Sequence, residues 1–447
     1  MSMLNNGIAG MSAASMSLNV TSKNIANASV LGYSRQKAFY TTEDNGSVSV
    51  ETIERISDRF YTGQLQDAAT NLGYAATLSN QMTKMEEAVS AKGMTLSPSL
   101  NTFFKSLNAA QADPMDPAFR QQVLSDAGDL AARFNGLSDR MNDQLNDTHE
   151  QLRTMTGEAN AVLKQVARLN TDIAKQNAAG KVSPELLDER DIAVRKLSEM
   201  VGVDVSFNEN NTVGLFTSSG EPLVVSNKAN ELTLMPGNPD KDMVRIGLKS
   251  GDSEKLLRTV GGALEAHLDF RDKTLLPARE ALNEQALALA TAFNDQQAVG
   301  FDLNDDAGKP LFDIGPNDAA ATLKVAITDT RQLAFASEKG KPGNNENLIK
   351  LTDIQDRKLV GPTGSKKTLS GAYKALVVNT ASKTSAAKAG FEASSKIHQT
   401  ANSKLLGVAG VNLDEEAAQM VVFQQAYNAN AKVISATNEM LNTLLRL

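Results

Sequence analysis

The chain has 447 residues, no cysteine, no tryptophan and a formal net charge of −7. That length exceeds what one hydrophobic core organises, so about two to four domains are expected. The acidic balance argues against nucleic acid binding, which calls for a basic stripe; no apolar run approaches the roughly 18 residues of a membrane span; and without cysteine, disulfides, thiolate metal sites and a cysteine nucleophile are excluded.

Leu4, Met11, Leu18 and Ile25 recur every seven residues and predict a helix over 1–28, closed near Gly32. Residues 33–57 read as extended, with Asn45-Gly46 as a turn signal. Helical spacing returns over 58–91, breaks from Gly93 to Pro98, and resumes from Ser99 to about Ala112. Asp113-Pro114 and Asp116-Pro117 form a turn, and Pro117 is suited to opening a helix that then runs to about Asn177. Ser183-Pro184-Glu185 starts the next one, with Ser as the cap, Pro at the first position and an acid in the first turn. From Val201 short alternating runs divided by Gly, Asn, Asp and Pro predict a small β-rich domain. A helical pattern occupies 262–297. Residues 301–345 are broken again, with Leu323, Val325 and Ile327 alternating as a strand that we place back in the β-rich domain. Helices return from Asn347, with a loop at Gly361 to Ser365 and a flexible joint at Leu405 to Gly410. The last helix repeats the opening signature: Leu413, Met420, Tyr427, Ile434 and Leu441 are again seven apart. Asn412 is its expected N-cap, and Asp414, Glu415 and Glu416 suit the positive end of its dipole.

A seven-residue apolar repeat makes a seam that seeks a partner helix, and two seams at opposite ends of a chain can cover each other. The same spacing also fits two amphipathic helices of an ordinary core. Ser, Asn and Thr crowd both seams, with Gln beside them in the second; Ser, Asn and Thr are mediocre helix formers, so the ends are expected to be loose in a free subunit and ordered when copies pack together. The predicted fold is a multidomain α+β chain in nested order. A terminal coiled-coil stem (1–45 with 402–447) encloses an elongated helical-bundle domain (46–200 with 263–300 and 346–401). That domain encloses the β-rich insertion (201–262 with 301–345).

The run from Asn24 through Asn27, Gly32, Tyr33 and Arg35 to Gln36 resembles the signature shared by the rod/hook axial proteins of the bacterial flagellum. Its Gly-Tyr-Ser-Arg-Gln ending is similar to the hook-associated branch, as are the stretches Gly410 to Glu416, with Asn412 and Leu413, Phe423 to Ala431, and Asn294 to Phe312. The chain is short for that branch, and an outermost domain of longer members is expected to be reduced or absent. The resemblance implies a structural, non-enzymatic subunit that leaves the cell by type III export without a cleaved signal and self-assembles outside it, joining hook to filament. It implies that the nine seam residues form the inner core of a helical homo-oligomer. Its implied partners are the hook protein, a second hook-associated junction protein on the filament side, and an export chaperone at the C-terminal helix, with neither nucleic acid nor membrane insertion. A rod or hook subunit of the same family is the alternative; an enzyme housed in the β-rich insertion is a more distant one.

Motifs for chemistry are incomplete. His149-Glu150 opens a zinc-protease pattern, but Arg153 stands where the second His belongs. Asp302, Asn304 and Asp306 alternate as in a calcium loop, yet Ala307 replaces the glycine and Asp313 the bidentate Glu, so a polar turn is predicted. His267 and His398 have no ligands at metal spacing, and the Gly361–Lys367 run lacks phosphate-loop spacing. No cofactor is predicted.

Overall fold

A computed structural model describes residues 2–43, 47–91, 95–237 and 243–445. The expected turn at Asn45-Gly46 and the helix break at Gly93 fall outside them. The chain runs α1 (Ser2–Asn27), β1 (Gln36–Thr42), β2 (Val48–Arg55), α2 (Arg59–Ser90), α3 (Leu96–Ala110), α4 (Pro117–Ala178) and α5 (Pro184–Met200). Seven short strands follow: β3 (Asp204–Phe207), β4 (Val213–Phe216), β5 (Pro222–Val225), β6 (Lys228–Ala229), β7 (Glu231–Met235), β8 (Arg245–Ser250) and β9 (Ser253–Leu256). Then come α6 (Gly262–Phe270), α7 (Leu276–Ala298), β10 (Phe312–Asp313), α8 (Ala319–Thr322), β11 (Lys324–Val325), α9 (Glu346–Asp353), α10 (Leu369–Ala409) and α11 (Leu413–Leu444). The residues form two compact units.

The first unit comprises Met1–Ala75, Arg153–Glu265 and Glu392–Leu447. Here α1 lies along α11 in antiparallel register: Gly7 meets Ile434, Gly10 meets Asn430, and Asn24 reaches Glu416. A Cβ on Gly7 would come 2.9 Å from Ile434 Cγ1, and one on Gly10 2.5 Å from Asn430 Oδ1, so glycine is what lets the two helices approach. The hairpin β1–β2 packs on α1 through buried Ala38 and through the Ser17 and Tyr40 hydroxyls, which hydrogen-bond. The two antiparallel sheets β3-β4-β5-β6 and β7-β8-β9 are tied to α4 by side-chain amides. Asn170 donates to the Val213 and Ser226 carbonyls and accepts the Val213 N–H; Asn160 does the same with both backbone groups of Leu232.

Two local expectations change in this unit. Ser183 holds the N-cap position of α5, but its side chain makes no capping bond; the hydroxyl donates to the Glu185 carboxylate instead. The joint expected at Leu405 to Gly410 is helical as far as Ala409. Leu405 packs against Leu65, Ala68 and Ala401, and this contact outweighs the roughly 1 kcal/mol that a helical Gly407 costs.

The second unit comprises Ala76–Leu152 and Ala266–Phe391. Phe103, Phe104, Phe293 and Phe312 form its centre, with ring centroids 5.1–6.1 Å apart in tilted and edge-on pairs. The predicted 262–297 helix is interrupted by a π-turn at Arg271–Leu275. Pro277 has no N–H to give the Lys273 carbonyl four residues back, and Lys383 Nζ supplies that bond at 2.9 Å.

Residues 301–345 belong to this unit and not with 201–262, contrary to the sequence expectation. Leu323 and Ile327 are buried as the alternation predicted, but the pairing is slight: the two-residue ladder of β10 with β11, and isolated antiparallel bridges of Phe301 with Ala307 and with Ala336. Side chains replace a sheet partner. Asn294 brackets Phe312 N and O, Asn135 donates to carbonyls 320, 321 and 323, and Gln297 Oε1 accepts the Ala334 N–H. Arg120, buried over the Phe335 ring, donates to the Pro114, Thr330 and Leu333 carbonyls. Asp302 is the polar turn expected, its carboxylate accepting the N–H groups of Asn304 and Asp306.

His267 is buried beside Gln81, with Nδ1 3.3 Å from the amide nitrogen. Burial, and secondarily the Lys84 charge, lower its pKa from 6.5 to about 4. The unfolded chain therefore takes up this proton near pH 6.5 and the folded unit only near pH 4. The resulting stability is complete above pH 6.5 and lost as pH falls through that window, a difference of about 3 kcal/mol. Denaturant melts at pH 7 and pH 4 should show a smaller loss for His267→Gln than for the parent by that order.

Candidate functional site

The residues of the Asn24–Gln36 signature and those opening α11 meet at one place in the first unit. Helix α1 ends at Asn27, whose side chain donates to the Lys23 carbonyl one turn back. The chain turns through a Val30 N–H to Asn27 carbonyl bond of 2.9 Å and reaches Gly32 at φ +83°. A side chain there would be strained and would bring its Cβ within 2.6 Å of Ile192 Cδ1. Arg35 N–H then donates to the Ala409 carbonyl at 2.8 Å, and Ile56 N–H to the Arg35 carbonyl at 2.7 Å. One short segment is thus tied to the end of α10 and to the strand leaving the hairpin.

Asn24, 1% exposed, is the hub. Its Oδ1 accepts the Gln36 N–H (3.0 Å) and the Tyr33 hydroxyl (2.8 Å); its Nδ2 donates to the Gln36 carbonyl (2.9 Å) and to Glu416 Oε2 (3.1 Å). Around it, Arg35 pairs with Glu415 at 2.7 Å, Gln36 Nε2 donates to Glu185, and Ser34 N–H donates to Asp188. Arg55 clamps Asp188 and Asp191 at 2.8 and 2.6 Å. Burial, then the charges of Glu185, Asp188 and Glu416, push the Tyr33 hydroxyl up to about 12, so it remains a donor to Asn24 at any physiological pH. Burial alone would raise the Glu185 carboxyl; hydrogen bonds from Ser183, its own backbone and Gln36, with the Lys23 charge, outweigh it and hold the group below its ordinary range. The arrangement is a mechanical tie between α1, the hairpin, α5 and α11.

Of the predicted seam, Leu4, Met11, Leu18, Ile25, Met420 and Ile434 are half-buried, while Leu413, Tyr427 and Leu441 are exposed. The fully covered positions are Gly7, Ala13, Ala14, Ser17, Val20, Thr21 and Asn24 on α1 and Glu416 on α11. Apart from Val20 the covered positions are small or polar, and the larger apolar rows lie at the edge of the stem. Sequence reasoning missed this because it counted apolar residues. The signal was a second seven-residue series, Gly10, Ser17 and Asn24 on one helix, and Glu416, Phe423, Asn430 and Thr437 on the other. Asn412 caps α11 as predicted, accepting the Asp414 and Glu415 N–H groups. Glu415 and Glu416 go beyond helix punctuation, since one pairs with Arg35 and the other with Asn24. The roles of Arg55, Glu185, Asp188 and Asp191 carried no motif. Among the described residues no three His, Cys, Asp or Glu are grouped to hold a metal ion, and no helix is long and apolar enough to cross a membrane.

Asn24→Asp keeps the shape and both acceptor bonds but loses the two donors and sets a carboxylate against Glu416. Leaving these buried groups unpaired is expected to destabilise the first unit by about 3 kcal/mol. Hydrogen exchange should show faster exchange at Tyr33–Gln36 with no change around the phenylalanine cluster of the second unit.

Residues 82–312 match the model of the flagellar hook-associated protein FlgK helical domain, and residues 402–447 match that of the flagellar basal body rod FlgEFG protein C-terminal region. The chain is 27% identical to flagellar hook-associated protein 1 of Escherichia coli strain K12, with all of both chains covered. It is 25% identical to the protein of that name from Bacillus subtilis strain 168, covering 97% of this chain and 96% of the relative. The E. coli alignment spans 548 positions against 447 residues here, so that relative carries stretches this chain lacks, as its short length suggested. The structure of the flagellar hook junction protein FlgK from Burkholderia pseudomallei superposes with a TM-score of 0.71 at 17% identity over 77% of this chain and all of that one, a likeness of fold. The helical-domain match spans more than half of the 447 residues, and the chain belongs to the flagellar hook-associated protein FlgK family.

Proposed function

We propose that this chain is a structural subunit of the bacterial flagellum that self-assembles where hook meets filament, and that its terminal helices are the assembly element. The observation that carries the reading is the state of those helices. Gly7 and Gly10 let α1 and α11 pair closely, and the Asn24 tie fixes the pair to the hairpin. Yet Met3, Ile8 and Met16 on α1, and Leu413, Val421, Val422, Val433, Met440 and Leu441 on α11, stay exposed. Apolar rows of this extent on a paired stem are what a neighbouring copy would cover. The nine seam residues, at the margins of the pair, are the inner-core contacts of this reading.

The role is structural, not catalytic. A rod or hook position is less well supported, because full-length relatives carry the hook-associated name while the rod-type match is confined to 402–447. The hook protein, a second hook-associated junction protein and an export chaperone at α11 are the partners of this reading, and the protein acts outside the cell after export.

Ile434→Asp places a carboxylate against Gly7 inside the stem, at a cost of several kcal/mol where no partner is available. The expected result is a monomer whose second unit still melts cooperatively, with no assembly at the hook and no filaments. Normal filaments would remove Ile434 from the assembly contact. In the parent, amides of 2–20 and 425–444, beyond the Asn24 tie, should exchange quickly in dilute monomer and slowly in the polymer; equal protection in both states would tell against ordering on assembly.

A further inference from the structure

Strands β1 and β2, of 7 and 8 residues, are the longest among the described residues, yet they pair only with each other. Two hydrogen bonds fix the phase of their ladder: Ile56 N–H donates to the Arg35 carbonyl at one end, and Glu43 N–H to the Ser47 carbonyl at the other. Antiparallel strands turn alternate residues toward and away from the partner. Counted from each end to the bulge at Phe39–Tyr40, the residues whose N–H and C=O point outward include Gln36, Tyr40 and Thr42 on β1, and Val50 and Ile53 on β2. Gln36 supports this phase, since the Asn24 amide fills both of its outward groups. Among the described residues nothing does the same for the backbone of Tyr40, Thr42, Val50 or Ile53. Phe39, Tyr40 and Val48 are also exposed on this half of the hairpin. A two-stranded ribbon is marginal by itself, and an open edge is a template for a further strand. Beside β2 there is room for one. A cleft of about 890 Å³ is lined by six consecutive residues, Val50 to Arg55, as a strand presented edge-on lines it.

We infer that the open edge of β2 receives β1 of a second copy of this chain, antiparallel, so that the hairpins of successive copies join in one sheet. The mixed lining of the cleft selects no particular side chain. The unfilled backbone edge selects a strand, because main-chain hydrogen bonds carry recognition of this kind. This chain supplies both halves of the contact, a free edge on each strand of one hairpin. The charges of the strands decide which edges meet. Lys37 is the exposed charge of β1, and Glu51 and Glu54 are those of β2. Arg55, the remaining charged residue of β2, is held by Asp188 and Asp191. Across the cleft, Arg190 is paired with Asp191 and Arg59 lies over the Phe207 ring. Setting β1 against β2 of another copy brings opposite charges together, whereas β1 on β1 or β2 on β2 brings like charges together. The hairpin rests on α1 through buried Ala38, so copies whose stems pack together carry their hairpins within reach of one another. The inference rests on the self-assembly proposed above and names a contact outside the terminal helices.

The chain has no native cysteine, so single thiols report the contact. Chains carrying Thr41→Cys on β1 and chains carrying Thr52→Cys on β2 are expressed together, and isolated flagella are treated with a short bis-maleimide. A dimer joining the two variants is expected, with none from flagella built of either variant alone. Dimers of one variant with itself would mean two-fold pairing of like strands and would overturn the inference. Flagella that contain both variants but yield no dimer would also overturn it and leave the assembly reading intact. Absence of the parent chain from flagella would overturn both. Val50→Pro removes an outward N–H and none of the bonds within the hairpin. It should leave the melt of the monomer unchanged and lower incorporation into flagella. Full incorporation would count against the contact, and a lowered melt would show that this N–H serves the hairpin itself and that the edge is not open.

Discussion

An asparagine side chain that brackets one residue's backbone, accepting its N–H and donating to its carbonyl, is the interaction on which this molecule is built. Asn24 does this to Gln36, Asn160 to Leu232, Asn170 to Val213 and Asn294 to Phe312. In each case a long helix presents the amide and a non-helical segment is received. An amide can fill both backbone valences of a residue, as a neighbouring strand would. Short strands and irregular loops can then lie on helices without leaving buried polar groups unpaired, which would cost about 1–3 kcal/mol each. The abundance of Asn and Gln in a chain with few aromatics has this physical use.

At Asn24 the bracket does more than dock a strand. The same carboxamide holds Tyr33 and Glu416, and so joins the two ends of the chain. The pairing of α1 with α11 depends on contact so close that two glycines face the partner helix. A stem with a small, polar centre gains specificity of register from its hydrogen bonds but buries little apolar surface. Its larger apolar side chains remain at the edge, available to other copies. This is how a chain can carry an assembly element that is defined in the subunit and still incompletely covered.

Much of this was legible in the sequence. The heptad residues from Leu4 to Ile25 and from Leu413 to Leu441 announced two terminal helices, and Pro117, Gly32 and Asn412 marked helix boundaries, because caps and breakers act within a few residues. The family signature from Asn24 to Gln36 was readable as a motif, though not as a hydrogen-bonded tie. Local signals missed what depends on partners distant in sequence. The strand-like alternation at Leu323 to Ile327 is real, but which unit receives it was decided by Asn135, Asn294 and Arg120 on other helices.

By itself the sequence determined the helices, their ends, the β-rich segment from Val201 and the family, since periodicity and punctuation are local properties of the chain. Only the tertiary structure decided that Ser17, Asn24 and Glu416 are covered while Leu413, Tyr427 and Leu441 are not. It also decided that Leu405–Ala409 are helical and that 301–345 join the second unit. The reason is the same throughout. Burial of a polar group is set by whether a complementary donor or acceptor arrives from elsewhere in the fold; Asn24 is tolerated at the centre because Gln36, Tyr33 and Glu416 all reach it, and no seven-residue count of apolar side chains contains that information.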